Sequence, residues 1–181
     1  MTIILAGIRT LADHVHTMQV NPEAYRPQQC PSCAHGTVWC HGCYTRKADR
    51  QNLGAPCLDP VPILRFLCPG CRTTCSVLPE VIPPRRWYLW SVQQAVLLLL
   101  LAGKSCFQAS ESHNQHPWWQ TIRRWQQRLH EQFTVDAATL RPWFPELGRT
   151  PEFGDFWSAA LALKPLSALM TLLHQEAVAV P

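Results

Sequence analysis

Two short cysteine motifs constrain this chain more than any other feature of its 181 residues. They are CPSC at Cys30–Cys33 and CPGC at Cys68–Cys71, and each places two thiols on a tight turn that contains proline. A pair of thiols at this spacing supplies half of a tetrahedral zinc site, and two pairs supply a complete one. We therefore expect one structural Zn²⁺ with no open coordination position, held by Cys30, Cys33, Cys68 and Cys71.

The remaining cysteines leave alternatives open. Cys40 and Cys43 have the same spacing, so a site built from Cys30, Cys33, Cys40 and Cys43 competes with the first assignment. We prefer the first because its two motifs match each other, and we then expect Cys40 and Cys43 to be small buried residues. A second metal site is an alternative use for Cys40, Cys43, Cys57, Cys75 or His41. A redox dithiol is another alternative, although neither proline-containing pair precedes a helical pattern.

The sequence between and around the two motifs has the pattern of a small β zinc ribbon over residues 30–78. Strands are predicted at 37–39 and 44–46, with a turn at His41-Gly42 between them, and then at 62–67 and 73–78. Such a sheet is expected to have almost no core of its own. Metal binding contributes on the order of 10 kcal/mol to domains of this kind, so the ion is expected to decide whether the ribbon folds.

The segments on either side of this ribbon are predicted to be a helix and a spacer. Residues 1–29 form an N-terminal helix and lead-in, because Ile4, Ile8, Leu11, Val15 and Met18 recur at helical spacing. Residues 79–88 form a proline-rich spacer.

A helix-turn-helix region is predicted over residues 89–133. An apolar helix at 89–102 is followed by a short polar helix at 105–112 and by a third helix from Pro117 to about Phe133. The three tryptophans Trp118, Trp119 and Trp125 are expected in the core, as is Cys106, whereas His113 and His116 are expected to be exposed. Residues 134–181 form an acidic helical tail, so the fold class is α+β, with a small β ribbon and a mostly helical remainder.

Basic charge is concentrated in the middle of the chain. Residues 26–128 contain 12 Lys and Arg against 4 Asp and Glu, whereas residues 129–181 contain 3 against 6. This distribution favours a polyanionic partner, and a generic solvated surface is the alternative. Arg reads guanine or clamps phosphate, and Gln reads adenine. The expected DNA contacts are Gln120, Arg123, Arg124, Gln127 and Arg128 on the third helix, with phosphate contacts from Lys104, Arg85 and Arg86.

Localisation is expected to be cytoplasmic, with no membrane partner. The first eight residues lack the pattern of a signal peptide, and the longest apolar run, residues 95–102, is far shorter than a membrane span. A reducing compartment favours metal ligation over disulfides for paired cysteines.

The motifs together resemble a bacterial family of transposase-type proteins that join a zinc ribbon to a helix-turn-helix. The resemblance is carried by CPSC, by WCHGCYTRKADR at 39–50, by PVPILRFLCPGCRTTCSVLP at 60–79 and by TIRRW at 121–125. It implies zinc at the four cysteines of the two CPxC motifs, DNA binding by the helix around residues 121–128, and a link to a mobile element.

Catalysis of strand transfer is not expected, so the chain is not predicted to be an enzyme. That reaction needs acidic residues that hold two metal ions on a sheet, and the acids after Leu129 lie in helical or proline-broken sequence. Double-stranded DNA is the expected partner, with a recombinase or a second copy of the chain as further candidates. A protein-interaction module is the alternative function.

Overall fold

The computed structural model describes residues 1–48, 58–85 and 88–176. It has a mixed α+β fold, which confirms the predicted fold class. The chain divides into two compact units, Met1–Leu89 and Trp90–Pro181, which we call the N-terminal and C-terminal units.

The N-terminal unit is built on a four-stranded sheet of order β1-β4-β3-β2. Its strands are β1 (Thr2–Leu5), β2 (Trp39–Arg46), β3 (Val61–Leu67) and β4 (Thr74–Pro79). Strand β1 runs parallel to β4, while β2–β3 and β3–β4 are antiparallel. Helix α1 (Leu11–Val20) and a short 3₁₀ turn (Pro22–Tyr25) connect β1 to the first cysteine motif.

The prediction of one helix from the start of the chain is wrong for its first turns. Ile4 lies in β1, where it pairs with Leu78, and the helix begins only at Leu11. Gly7 has a φ of +90°, which ends the strand, and the Thr10 side chain caps the helix by accepting from the Asp13 N–H. The helical spacing of the apolar residues hid this break, because pairing with a distant strand leaves no local signal.

The predicted hairpin around His41-Gly42 is also wrong, because β2 is one continuous strand. Cys40 pairs with Phe66 and Cys43 pairs with Leu64, so the two residues between them face one residue of β3 in a β-bulge. Gly42 has a φ of +80° there. A glycine in a strand-like sequence marks a bulge as readily as a turn, and here it is a bulge.

Two apolar clusters give the N-terminal unit more core than the sequence suggested. One contains Leu11, Ala48, Val61, Ile63, Leu78 and Ile82. The other contains Tyr25, Val38, Phe66 and Val77 together with Cys30, Cys68 and Cys75. The core is larger than expected because β1 and α1 add apolar side chains from outside the predicted ribbon.

Buried His14 ties α1 to the sheet. Its Nε2 lies 2.7 Å from the Pro62 carbonyl oxygen, which can only accept, so Nε2 carries the proton and donates. Its Nδ1 then accepts from the Tyr25 hydroxyl at 2.5 Å. Burial lowers the pKa of His14, which keeps the imidazole neutral in this arrangement.

The described part of the C-terminal unit is helical. It contains α2 (Trp90–Leu101), α3 (Cys106–Ser112), α4 (Trp119–Leu140), α5 (Phe153–Leu163) and α6 (Leu166–Gln175). Fully buried side chains form one cluster that includes Trp90, Leu140, Leu147, Phe156, Trp157 and Leu169. Among the described helices none alone has both the length and the apolar character to cross a membrane; α5 and α6 reach that composition only as a pair, with a bend of 101° between them.

Helix α4 differs from its prediction at both ends. It begins at Trp119, two residues after Pro117, and continues to Leu140, across the predicted boundary at residues 133 and 134. No glycine or proline interrupts the sequence between Gln120 and Arg141, so nothing local stops the helix before Pro142. Helix α3 matches its prediction, because Ser105 and Gln108 form a capping box at its start.

Asp136 on α4 is the least expected side chain of this core. It is fully buried, and neither carboxylate oxygen has a hydrogen-bond partner in the described structure. Burial raises its pKa to about 7, because the low-dielectric interior disfavours the charged form.

We expect this carboxyl group to make the C-terminal unit less stable as the pH rises from about 4 to about 7. In that window the unfolded carboxyl group loses its proton near its ordinary pKa of 3.8, while the folded one keeps its proton up to a pKa of about 7. The free energy of unfolding should fall by about 2 to 4 kcal/mol over this pH range. Chemical denaturation across pH measures it, and Asp136→Asn should remove this part of the pH dependence. If the free energy of unfolding changed equally with pH in Asp136→Asn and in the parent chain, this role of Asp136 would be contradicted.

Candidate metal centre

The two cysteine motifs come together at one end of the sheet. The Sγ atoms of Cys30 and Cys71 are 3.7 Å apart, those of Cys33 and Cys68 are 3.6 Å apart, and all four lie within 4.8 Å of one another. Four sulfurs around a metal at Zn–S distances of about 2.3 Å would be separated by about 3.8 Å. A disulfide needs about 2.05 Å, so none of these cysteines is oxidised. The four side chains could therefore hold a metal ion.

Each motif folds into the same turn. The N–H of Ala34 donates to the Cys30 carbonyl and the N–H of Cys30 donates to His35; in the second turn, Arg72 donates to Cys68 and Cys68 donates to Thr73. The two turns therefore repeat each other bond for bond, which explains why two separate stretches present their thiols in the same way.

A left-handed residue follows the second cysteine of each turn. Ala34 has a φ of +57° and Arg72 a φ of +56°. Residues with a Cβ adopt this conformation at a cost of roughly 1–2 kcal/mol, so both turns carry a backbone cost that glycine would avoid.

Hydrogen bonding makes the four thiols unequal. The side chain and backbone of Thr73 hydrogen-bond to Cys71 and lower its pKa to about 6, with the Thr73 Oγ1 2.8 Å from the sulfur. The backbone N–H of His35 acts to lower the pKa of Cys33, but hydrogen bonds shared with Cys71, together with burial, raise it to about 12. The Thr73 hydrogen bonds therefore favour the thiolate form of Cys71. A bound cation would displace the remaining protons.

Burial places the site at the edge of the apolar core. Cys30 and Cys68 are buried in the cluster with Tyr25 and Phe66, while Cys71 is half-buried and Cys33 is exposed. Four protein ligands leave a tetrahedral ion no position for substrate, so the chemistry of this donor set is structural.

The other cysteines among the described residues do not join this group. Cys40 and Cys43 lie on β2 and are exposed, which corrects the expectation that they are buried. Cys75 is buried in the apolar cluster, and half-buried Cys106 lies with its sulfur 3.5 Å from the Gln126 Oε1. Cys57 lies outside the described residues. In the described ranges, the only set of three or more side chains close enough to share an ion is Cys30, Cys33, Cys68 and Cys71.

Only some of the predicted DNA contacts lie on one helix. Arg123, Arg124 and Gln127 are exposed on α4, while Gln120 and Arg128 are half-buried. Exposed Lys104, between α2 and α3, donates to the Ser112 hydroxyl at 3.0 Å. Exposed Arg85 belongs to the N-terminal unit, and Arg86 lies outside the described residues.

The tryptophans of α4 correct another expectation. Trp125 is buried at 8% exposure, but Trp118 and Trp119 are 59% and 37% exposed. Trp118 precedes the helix and Trp119 is its first residue, so helical periodicity does not decide which side Trp118 faces. Periodicity placed Trp118 on the apolar stripe, although the chain is not yet helical there.

Comparisons with models of protein families, with curated proteins and with solved structures found no match for this chain. The resemblance to transposase-type proteins therefore stays a prediction from the motifs.

Replacing Cys71 with Ser should reduce the metal content from about one ion per chain and lower the melting temperature of the N-terminal unit. A site of four thiolates loses a ligand that serine does not replace well. Elemental analysis and thermal denaturation measure both effects, and Cys106→Ser is the matched control in the C-terminal unit. If the protein contained no metal and melted at the same temperature as the parent chain, the metal site would be contradicted.

Replacing Arg72 with Gly should stabilise the N-terminal unit relative to Arg72→Ala by about 1 kcal/mol. Both variants remove the side chain, but only glycine avoids the left-handed cost. Denaturation of the two metal-loaded variants measures the difference. If the alanine variant were the more stable one, the left-handed turn would not carry the expected cost.

Proposed function

We propose that the protein is a zinc-dependent DNA-binding protein associated with a mobile element, acting in recognition or regulation. The observation that carries this proposal is the division of α4 into a buried and a basic face. Ile122, Trp125 and Leu129 are buried, whereas Arg123, Arg124 and Gln127 face solvent. A helix that packs through one face and presents Arg and Gln on the other has the chemistry of a major-groove reader.

The helices before α4 support this role. Helix α3 contacts α4, and α2 contacts both. Pro117 is buried in the connection between α3 and α4, and His116 has a φ of +41° there. A short helix followed by a tight connection and a longer basic helix supports the proposal of a helix-turn-helix in this region.

The two arginines are the stronger contacts in this proposal. Gln127 donates to the Glu131 carboxylate at 2.7 Å, so it must leave that partner before it reads a base. Arg128 is half-buried, which restricts its reach. Because guanidinium groups bind phosphate and guanine alike, Arg123 and Arg124 would supply both affinity and some base preference.

Zinc is the ion proposed for the cysteine site. Thiolates are soft ligands, and a closed set of four suits Zn²⁺ in a structural role. Zinc would hold the two turns together and fix the metal end of the sheet. The link to a mobile element rests on the family resemblance alone, and the proposal assigns no strand-transfer chemistry to the chain.

Replacing Arg123 and Arg124 with Ala together should weaken duplex binding about tenfold or more at low salt. The dependence of binding on salt should become shallower as phosphate contacts are lost. Fluorescence anisotropy with a labelled duplex measures both quantities. Arg149→Ala, which removes another exposed arginine of the C-terminal unit, is the control and should bind as the parent chain does. Unchanged affinity and salt dependence in the double variant would remove α4 from the interface.

A protein-interaction module is the second candidate function. It is favoured by large apolar side chains that are exposed in the C-terminal unit, among them Leu98 and Phe107. A recombinase or a second copy of the chain would be the partner. Light scattering of the parent chain, with and without duplex, separates this candidate from a monomer that binds only DNA.

A further inference from the structure

One face of the N-terminal sheet is covered over only half of its length. Strand register places Val61 and Ile63 of β3 on the same face as Leu78 of β4, and these residues are buried. The same face continues toward the metal centre through Arg65 and Leu67, which are only half-buried. The sheet therefore has an open half-face at its metal end.

The neighbouring strands complete this open half-face. Trp39 lies opposite Leu67 at the metal end, and Tyr44 lies at the border with the covered half, opposite buried Ile63, so both aromatic side chains belong to this face. Trp39 is 57% exposed and Tyr44 is 37% exposed. From β4, Thr74 lies opposite Leu67 and Ser76 opposite Arg65, and both are half-buried. We define the open face by Trp39, Tyr44, Arg65, Leu67, Thr74 and Ser76.

The chemistry of the open face favours a polyanion with flat groups. It contains a guanidinium, two aliphatic hydroxyl groups, a tryptophan ring and a tyrosine ring with its phenolic hydroxyl, and it contains no carboxylate. The Arg65 Nη2 donates to the Thr74 Oγ1 at 3.1 Å, which holds the planar guanidinium against β4. Exposed Arg72 follows the second cysteine turn at the same end of the sheet. Aromatic rings on a basic sheet surface stack unpaired bases, each base contributing favourably whatever its sequence.

We propose that the open face binds the unpaired nucleotides of a single nucleic-acid strand. A strand would stack bases on Trp39 and Tyr44 while its phosphates meet Arg65 and Arg72. A base pair inside a duplex hides its flat faces against its neighbours, so this surface selects single strands. The inference goes beyond the duplex contact proposed for α4, and it stands on a different unit and a different binding mode.

The test is a fluorescence anisotropy titration of the full, zinc-loaded chain with labelled oligothymidylate and oligouridylate of about 15 nucleotides. Trp39→Ala should weaken oligothymidylate binding about tenfold or more, and Trp39→Phe should retain part of the affinity. Trp143→Ala, which removes an exposed tryptophan of the C-terminal unit, is the matched control and should bind as the parent chain does. Zinc content and melting temperature check that Trp39→Ala is folded.

The outcomes separate the two nucleic-acid surfaces. Loss of single-strand binding in Trp39→Ala, with duplex binding kept, supports the open face; the preferred oligonucleotide then identifies the sugar. If replacing Arg123 and Arg124 abolishes only duplex binding, the open face keeps its proposed role. The same holds if the parent chain binds single strands but no duplex. The inference is overturned if the parent chain does not bind single strands, or if Trp39→Ala binds them as tightly as Trp143→Ala.

Discussion

The convergence of four cysteine sulfurs is the interaction on which the N-terminal unit depends. Cys33 and Cys68 are separated by 35 residues, and Cys30 and Cys71 by 41. Bringing the two ends of such a stretch together costs chain entropy, and weak contacts at the edge of the sheet offset that cost only in part. An ion bound to four thiolates would close both connections at one point and would fix the start of β4 and the approach to β2 together.

The cysteine site also offers an explanation for the side chains that are exposed at the same end of the sheet. Strand β3 runs directly into Cys68, so a bound ion would hold the metal end of this face by coordination where an apolar cover is missing. The sheet can therefore leave Trp39, Arg65 and Leu67 accessible while the far end is packed under Ile82 and Leu11. The C-terminal unit follows a different principle, because its helices enclose an apolar core, and Asp136 is a carboxyl group buried in this unit.

Features with a local cause could be predicted from the sequence. The grouping of the four cysteines, strands β3 and β4, and the short helix α3 all follow from spacing, alternation and side-chain chemistry within a few residues. Strand β1 could not be predicted in this way, because its parallel pairing with β4 joins residues more than seventy positions apart. The bulge at Gly42 and the exposure of Trp118 were missed for a related reason: glycine and tryptophan each suit two environments, and only tertiary packing selects between them.

The unpartnered carboxylate of Asp136 and the open half-face of the sheet belong to the same group of non-local features. Asp136 continues the helical spacing of Leu129 and Phe133, but the predicted helix ended near Phe133, so its burial was not expected. The open face could be recognised only from the register of the neighbouring strands, because that register places Trp39 and Arg65 on the same side of the sheet.

X-ray absorption at the zinc edge identifies the ligands of the bound ion in the chain purified without added chelator. We predict a first shell of four sulfur atoms at about 2.3 Å, with no nitrogen or oxygen ligand. A shell containing nitrogen or oxygen, or a protein without zinc whose sheet is intact, would contradict it.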